Sequence, residues 1–296
     1  MPKLSVIVAA QHASACLKKC LVALTGQSTA EETEIIVSLR TNGHLAELTA
    51  EFPSVRFLAG SRAGNVPQLW SAGMGVAQGQ IVALTIENCI PAPDWAARVM
   101  ASHTAAAWPA IGGAIEPDPA GSLATWAIYF CRYSNSMLPF PARFLDDLAA
   151  DNCSYKRDAL RAVEPVAANG FWETLVHEDM RRRGEKLFSD PALVVTFSGG
   201  ISGWRFLCRR YGHGRYFAAR RSVDFSFRQR LVRVLGAPVV PLLLLNRIAG
   251  RVRRKRRYGG KFLSSLPLIA CFLFSWAAGE AMGYAVGYPN SSGPLE

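Results

Sequence analysis

Two rhythms of apolar residues alternate through the first ninety positions. Lys3 to Ala9 (KLSVIVA) is a branched apolar run that predicts a strand. Ala13 to Thr25 then sets Leu17, Cys20, Leu21 and Leu24 on one helical face. Glu34 to Ser38 (EIIVS) predicts a second strand, Leu45 to Glu51 a helix and Val55 to Ala59 a third strand. Gly64 and Pro67 open another helix, in which Leu69, Gly73, Val76 and Ala77 recur at helical spacing until Gly79 stops it. Gln80 to Thr85 (QIVALT) is a short run of the kind buried on both faces of a parallel sheet. Strands and helices alternating at this spacing mean βαβ units, so the expected class is α/β with a mostly parallel sheet.

Past residue 100 the rhythm loosens. Ala110 to Ile115 predicts a strand with a glycine pair, and Ser122 to Tyr133 an aromatic helix with Trp126, Tyr129 and Phe130 on adjoining turns. Ser134 to Asp147 reads as an irregular loop, and Asp151 to Leu160 as a strand-to-helix junction. Gly170 to Gly184 (GFWETLVHEDMRRRG) predicts a helix closed by glycine, with arginines in its last turn as the macrodipole favours. Trp204 to Arg221 is a basic helix. Val234 to Leu245 is an apolar run of 12 residues holding Pro238 and Pro241, which predicts an interfacial or re-entrant segment. Phe262 to Gly279 supplies 18 uncharged residues, enough to begin a transmembrane helix; Glu280 interrupts it and Ala281 to Tyr288 continues it. The expected organisation is an α/β domain over 1–200, a basic amphipathic connection over 201–230, and a membrane-associated region over 231–296 with one crossing at 262–286.

Charge sharpens this picture. The net charge is +11, yet residues 200–261 hold 17 of the 33 Lys and Arg against one acid, Asp224, a local balance of +16. The rest of the chain is therefore near −5. A basic stretch of this kind suits nucleic acid or anionic lipid, and the flanking apolar runs favour lipid. With no aromatic platform among the basic residues, nucleic acid is not an expected partner. Seven scattered cysteines show no paired spacing for zinc and suit a reducing compartment. The apolar part of MPKLSVIVAAQH is too short for a signal peptide and starts a strand instead.

The candidate chemistry lies just past the strand at Gln80 to Thr85, where ligands bind in open α/β sheets. There stand Glu87, Asn88 and Cys89, followed by two prolines and Trp95. Helix, "A-x-G", buried strand, acidic tripeptide and "P-x-P-x-W" in that order resemble the centre of family-2 glycosyltransferases with the GT-A fold. The resemblance extends over roughly residues 3–220. It implies that Ile86, Glu87 and Asn88 occupy the family's Asp-x-Asp triplet, with Glu87 and Asn88 as a weak or dispensable site for Mg or Mn and for the donor diphosphate. Ser38 stands where the family carries a base-binding Asp, and Trp70 where it carries an Arg; a turn serine and a core aromatic are the alternatives.

Asp151 to Leu160 (DNCSYKRDAL) resembles the family's element near the acceptor. Asn152 and Trp172 are thereby candidate acceptor contacts, although Asn152 and Asp158 also suit a turn and a cap. The family's catalytic base heads the helix that ends at Gly184, and counting back puts Glu173 there. Glu178 and Asp179 are the rivals, closer to the arginines at the helix end. Trp204 to Arg221 resembles the family's basic "R-x-Y-G-x-G" helix. Arg209, Arg210 and His213 would then approach the donor pyrophosphate, or else rest on anionic lipid.

The implied function is inverting transfer of a sugar from a nucleotide-sugar to a hydroxyl of a lipid-linked or glycan acceptor, with the catalytic domain on the cytoplasmic side of a membrane. A non-catalytic sugar-nucleotide or partner-binding subunit on the same fold is the alternative, because carboxylates are scarce at the triplet. Arg251 to Arg257, flanking the long apolar segment, is expected inside, which would leave Asn290 to Glu296 outside.

Overall fold

The four strands at the head of the chain form where their apolar runs lie: β1 (Leu4–Ala10), β2 (Thr33–Leu39), β3 (Val55–Ala59) and β4 (Ile81–Ile86). Helices α1 (Ala15–Thr25), α2 (Leu45–Glu51) and α3 (Val66–Val76) connect them in this computed structural model, which describes residues 2–40, 45–59, 64–167 and 170–287. The residues assigned to the outer side of the membrane, Asn290 to Glu296, lie outside the described residues. Local chemistry sets the helix starts. The Ser14 hydroxyl accepts from the Leu17 amide at the head of α1, and Asn65 and Gln68 form a reciprocal capping box at α3, with Pro67 in its first turn.

The chain continues through β5 (Cys89–Pro91), α4 (Trp95–Ala105), β6 (Ala110–Pro117), α5 (Leu123–Tyr133), β7 (Arg143–Leu145) and β8 (Asn152–Lys156). Next come α6 (Arg157–Ala162), α7 (Glu164–Ala167), α8 (Glu173–Arg182) and β9 (Leu187–Phe197). The described strands form one sheet in the order β3-β2-β1-β4-β8-β6-β9-β5, with β7 paired to β9. Pairs β1–β2, β1–β4 and β2–β3 are parallel, whereas β4–β8, β6–β8, β5–β9 and β7–β9 are antiparallel.

The sheet is thus mixed, which corrects the expectation of a mostly parallel one. The βαβ rhythm governs only β1 to β4; β8 then runs back against β4, with Asn152 opposite Thr85. β9 escaped the sequence reading because Asp190 and Pro191 interrupt its alternation, although Leu187, Ser189, Leu193, Val195 and Phe197 are all buried.

The chain falls into two compact units. One takes the residues up to Glu116 with Ser136–Ser198; the other takes Pro117–Asn135 with the residues from Gly199 onward. The second unit is helical, with α5, α9 (Gly203–Arg221), α10 (Phe227–Gly236), α11 (Val240–Lys255) and α12 (Gly259–Val286).

A 3-10 turn at Ala237–Val239 joins α10 to α11, and Pro238 and Pro241 sit within the first positions of their helices, where an amide hydrogen is not needed. The apolar run at Val234–Leu245 is therefore the middle of a helical stretch, Phe227–Lys255, and not an isolated short segment. That stretch and Gly259–Val286 are each long and apolar enough to cross a membrane, by length and composition. Between them the chain reverses at Arg256 and Tyr258, both left-handed.

α12 lies close along α9. Phe206 meets Phe272 edge-on at 4.8 Å, and the Ser275 hydroxyl donates to the Leu207 carbonyl at 2.8 Å. Further along, a Cβ on Gly279 would overlap the Tyr211 carbonyl, and one on Gly283 the Arg215 carbonyl. Residue numbers rise together on both helices, so they run parallel, with glycines four apart permitting backbone contact.

Two outcomes follow from this packing. Gly279→Ala should destabilise the protein by ~1–3 kcal/mol, as overpacking does, whereas Gly260→Ala, with open space around it, should be neutral in the same thermal melts. His103 of α4 is buried beside the Ser154 hydroxyl at 2.9 Å, and burial, aided by Lys156, lowers its pKa from 6.5 to about 4. The unfolded chain takes up the proton first, so this contribution is intact above pH 6.5 and is lost as pH falls towards about 4. On the order of 2–3 kcal/mol should disappear across that window, and His103→Gln should remove that part of the pH dependence.

Candidate active site

Glu87 and Asn88 occupy the turn between β4 and β5, at the carboxyl end of the parallel strands. The Glu87 carboxylate accepts from the Gln11 amide at 3.2 Å and from the Ser14 hydroxyl at 2.9 Å. Ser14 is the cap of α1, so the negative charge sits at a helix amino end that favours it. Asn88 is buried, and its carbonyl accepts from the amide and the hydroxyl of Ser198 at 2.9 and 3.2 Å.

The two neighbouring sequence candidates lie in the core. Ser38 is wholly buried, its hydroxyl beneath α3 beside Gly73. Trp70 is buried as well; its indole donates to the Thr85 carbonyl at 2.8 Å and its ring meets Phe171 edge-on.

α3 leads into β4 and runs against it, so α3 begins at the carboxyl edge of the parallel strands. The Phe171 amide donates to the Pro67 carbonyl in the first turn of α3 at 2.8 Å. Gly170 precedes it with φ 116°, packed against Pro67, a conformation that suits glycine. These ties bring the start of α8 to the same edge of the sheet as Glu87 and Asn88.

Glu173 is the first residue of α8 and is partly exposed, while Trp172, its cap residue, is largely buried. The rival acids sit further along the helix and pair with its arginines, Glu178 with Arg182 at 2.6 Å and Asp179 with Arg183 at 2.8 Å.

Beneath this helix start lies a network that no sequence spacing announced. The His177 ring, fully buried one turn after Glu173, bonds through Nδ1 to Asp147 at 2.5 Å and through Nε2 to the Tyr155 hydroxyl at 2.8 Å. Asp147 also accepts from the Thr174 hydroxyl at 3.2 Å. Burial first, then Cys153 and the carboxylates of Glu173 and Asp147, hold the Tyr155 phenol well above its usual value, so it stays protonated. The one sequence hint was the four-residue step from Glu173 to His177, which puts both on one helical face.

Asn152 plays a different part from the one its motif implied. Its amide donates to the carbonyls of Ala114 and Leu193 at 2.8 and 2.9 Å, and its oxygen accepts from the Trp95 indole at 2.9 Å. At 1% exposure it fastens strands together and offers nothing to an acceptor.

Arg209, Arg210 and His213 belong to α9 in the second unit. The Arg210 guanidinium lies over the Trp276 ring at 4.1 Å, and burial, with Arg132 adding to it, lowers its pKa to about 10. Burial and then Arg210, Arg132 and Arg209 lower His213 to about 3, so the imidazole is neutral at ordinary pH. Three guanidinium groups around a neutral imidazole form a cationic cluster within this unit.

The fold is that of a solved mannosyltransferase. The chain is similar to mannosyltransferase PcManGT from Pyrobaculum calidifontis, solved in complex with GDP-Man and Mn2+, with a TM-score of 0.59 and 13% identity over 94% of this chain and 87% of that one. At that identity the likeness shows the fold. No protein-family model matches the chain, and no curated protein sequence matches it.

Among the described residues, no three His, Cys, Asp or Glu side chains gather as a metal-ligand set. Glu87 is the single carboxylate at this turn and already accepts from Gln11 and Ser14, so with Asn88 it would hold a divalent ion only once a donor diphosphate completed the coordination. A structural Glu87 has its own signature. Glu87→Ala should cost about 1–2 kcal/mol in thermal or urea unfolding, through the lost acceptor for Gln11 and Ser14. Added Mn2+ should raise the melting temperature of neither protein.

Proposed function

We propose that the protein transfers a sugar, with inversion, from a nucleotide-sugar to a hydroxyl of a lipid-linked or glycan acceptor at the cytoplasmic face of a membrane. The observation that carries this reading is the position of Glu173. It heads α8 at the carboxyl edge of the parallel strands, tied there through the Phe171–Pro67 hydrogen bond, in a fold shared with a mannosyltransferase.

In this reaction the Glu173 carboxylate takes the proton of the acceptor hydroxyl as its oxygen attacks the anomeric carbon. The bond from that carbon to the diphosphate oxygen breaks on the opposite face, and its electron pair leaves with the nucleoside diphosphate. Configuration at carbon is thereby inverted. Asp147, His177 and Tyr155 hold the first turns of α8 in place beneath the base.

A second reading, a donor- or partner-binding subunit on the same fold, is favoured by the commitment of Glu87 to α1. Donor hydrolysis by the purified protein, scanned across nucleotide-sugars, separates the two. In the catalytic case Glu173→Gln should lower turnover by about a hundredfold or more, with nucleotide affinity nearly unchanged, and Asp179→Asn should behave like the parent. Loss in Asp179→Asn with Glu173→Gln active would move the base to Asp179.

A further inference from the structure

We propose that the second unit seats flat on an anionic phospholipid surface through the outward face of α10 and α11, and that α12 does not cross the bilayer. This deepens the membrane location above but stands independently of sugar transfer.

α12 has the length and composition of a span, yet its neighbour does not. From Phe206 to Arg215, whose side chain donates to the Gly287 carbonyl, α9 follows α12 in backbone contact. α9 carries Arg205, Arg209, Arg210, Arg215, Arg220 and Arg221. A bilayer enclosing the second half of α12 would enclose these arginines too, which is costly at that depth. Glu280 is itself buried, 3.8 Å from Arg221 of α9, so its counter-charge comes from the same helix. α12 therefore gives one face to the arginine-rich α9, through Phe272, Gly279, Glu280 and Gly283, and leaves Leu263, Phe274, Met282 and Val286 exposed.

α10 and α11 present the opposite case. Ala237, Pro241, Ile248 and Val252 recur at helical spacing and are buried, which assigns one side of the stretch to the protein. The other side carries Leu231, Val232, Leu235, Val239, Leu242 and Leu243, with Leu235 70% and Leu242 62% exposed. Exposed basic residues bracket this stripe, Arg228 and Arg233 at one end and Arg247, Arg253 and Arg254 at the other.

Between Arg233 and Arg247 the uncharged interval rises only ~20 Å at 1.5 Å per residue, short of the ~30 Å hydrocarbon core. An apolar stripe of that length with cations at both ends matches the boundary of an anionic membrane. The leucines enter the acyl region while the guanidinium groups reach phosphates. Charge complementarity selects lipid over a second copy of this chain, whose own face would bring arginines onto arginines.

The test uses the full-length protein and vesicles of phosphatidylcholine, alone or mixed with phosphatidylglycerol. Flotation should show at least about tenfold tighter binding to the anionic vesicles at low salt, with the preference shrinking as salt rises. Leu242→Glu with Leu243→Glu should weaken binding by about a hundredfold. Both side chains are exposed, so the far-ultraviolet dichroism and melting temperature should hold.

A second measurement does not depend on that variant. Ser226→Cys at the head of α10, Gly260→Cys at the helix reversal and Val286→Cys at the end of α12, each made in a Cys208→Ser, Cys271→Ser background, should all react with an impermeant thiol reagent from the same side of the cell membrane. Reaction of any two from opposite sides would establish a crossing and overturn the proposal. Binding that ignores either the anionic lipid or the Leu242 and Leu243 substitutions would overturn it equally.

Discussion

The buried amide of Asn152 holds the antiparallel half of the sheet in register. From β8 it reaches β6 through the Ala114 carbonyl, β9 through the Leu193 carbonyl and α4 through the Trp95 indole. Gly113 makes this possible, because a Cβ there would overlap both the Asn152 amide and the Leu193 carbonyl. An amide buried this deeply is tolerated only with its hydrogen bonds made, so a hydrophobic residue of similar size would leave two strand carbonyls unsatisfied. With β9 held, β5 has its partner, and the turn bearing Glu87 and Asn88 is anchored on its far side through Ser198.

A second chain of contacts carries that order to α8. Trp70 bonds to Thr85 of β4 and meets Phe171; Phe171 meets Tyr155 of β8, and Tyr155 bonds and stacks with His177. Four rings in succession thus link the central strand to the helix that begins with Glu173. The partly exposed acid is held by buried neighbours on β8 and α8, while Thr174 and Asp147 close the surface side. Rigid support of this kind suits a group that must meet a small reacting centre.

Much of this was legible in the order of residues, and the misses share a physical cause. Periodicity reports local burial, so β1 to β4 and α3 stood out, and the closing glycine and terminal arginines marked the helix that ends at Gly184. It does not report pairing direction, so the antiparallel entry of β8 went unseen. Motif likeness placed Asn152 near an acceptor, but motif position does not reveal where an amide points, and here it points into the sheet. Asp147, Tyr155 and His177 converge from three separate segments, which single-sequence spacing cannot express. At the carboxyl end, composition marked one apolar segment from Phe262 onward, whereas the structure has two helices long and apolar enough to cross a membrane, and nothing in those residues tells that an arginine-rich helix lies along α12.

The division of the second unit along the chain has a consequence in time. α5 carries Trp126 and Phe130, whose partners Tyr258 and Phe262 begin α12. During synthesis those rings emerge long before their partners, with an interval on the order of ten seconds at ordinary elongation rates. The strands β7 to β9 are made within that interval and complete the first unit while the α5 aromatics still lack their cover. A nascent chain of this design is therefore most exposed to misassociation on the ribosome between the emergence of α5 and that of α12, and it depends on α12 for release from that risk.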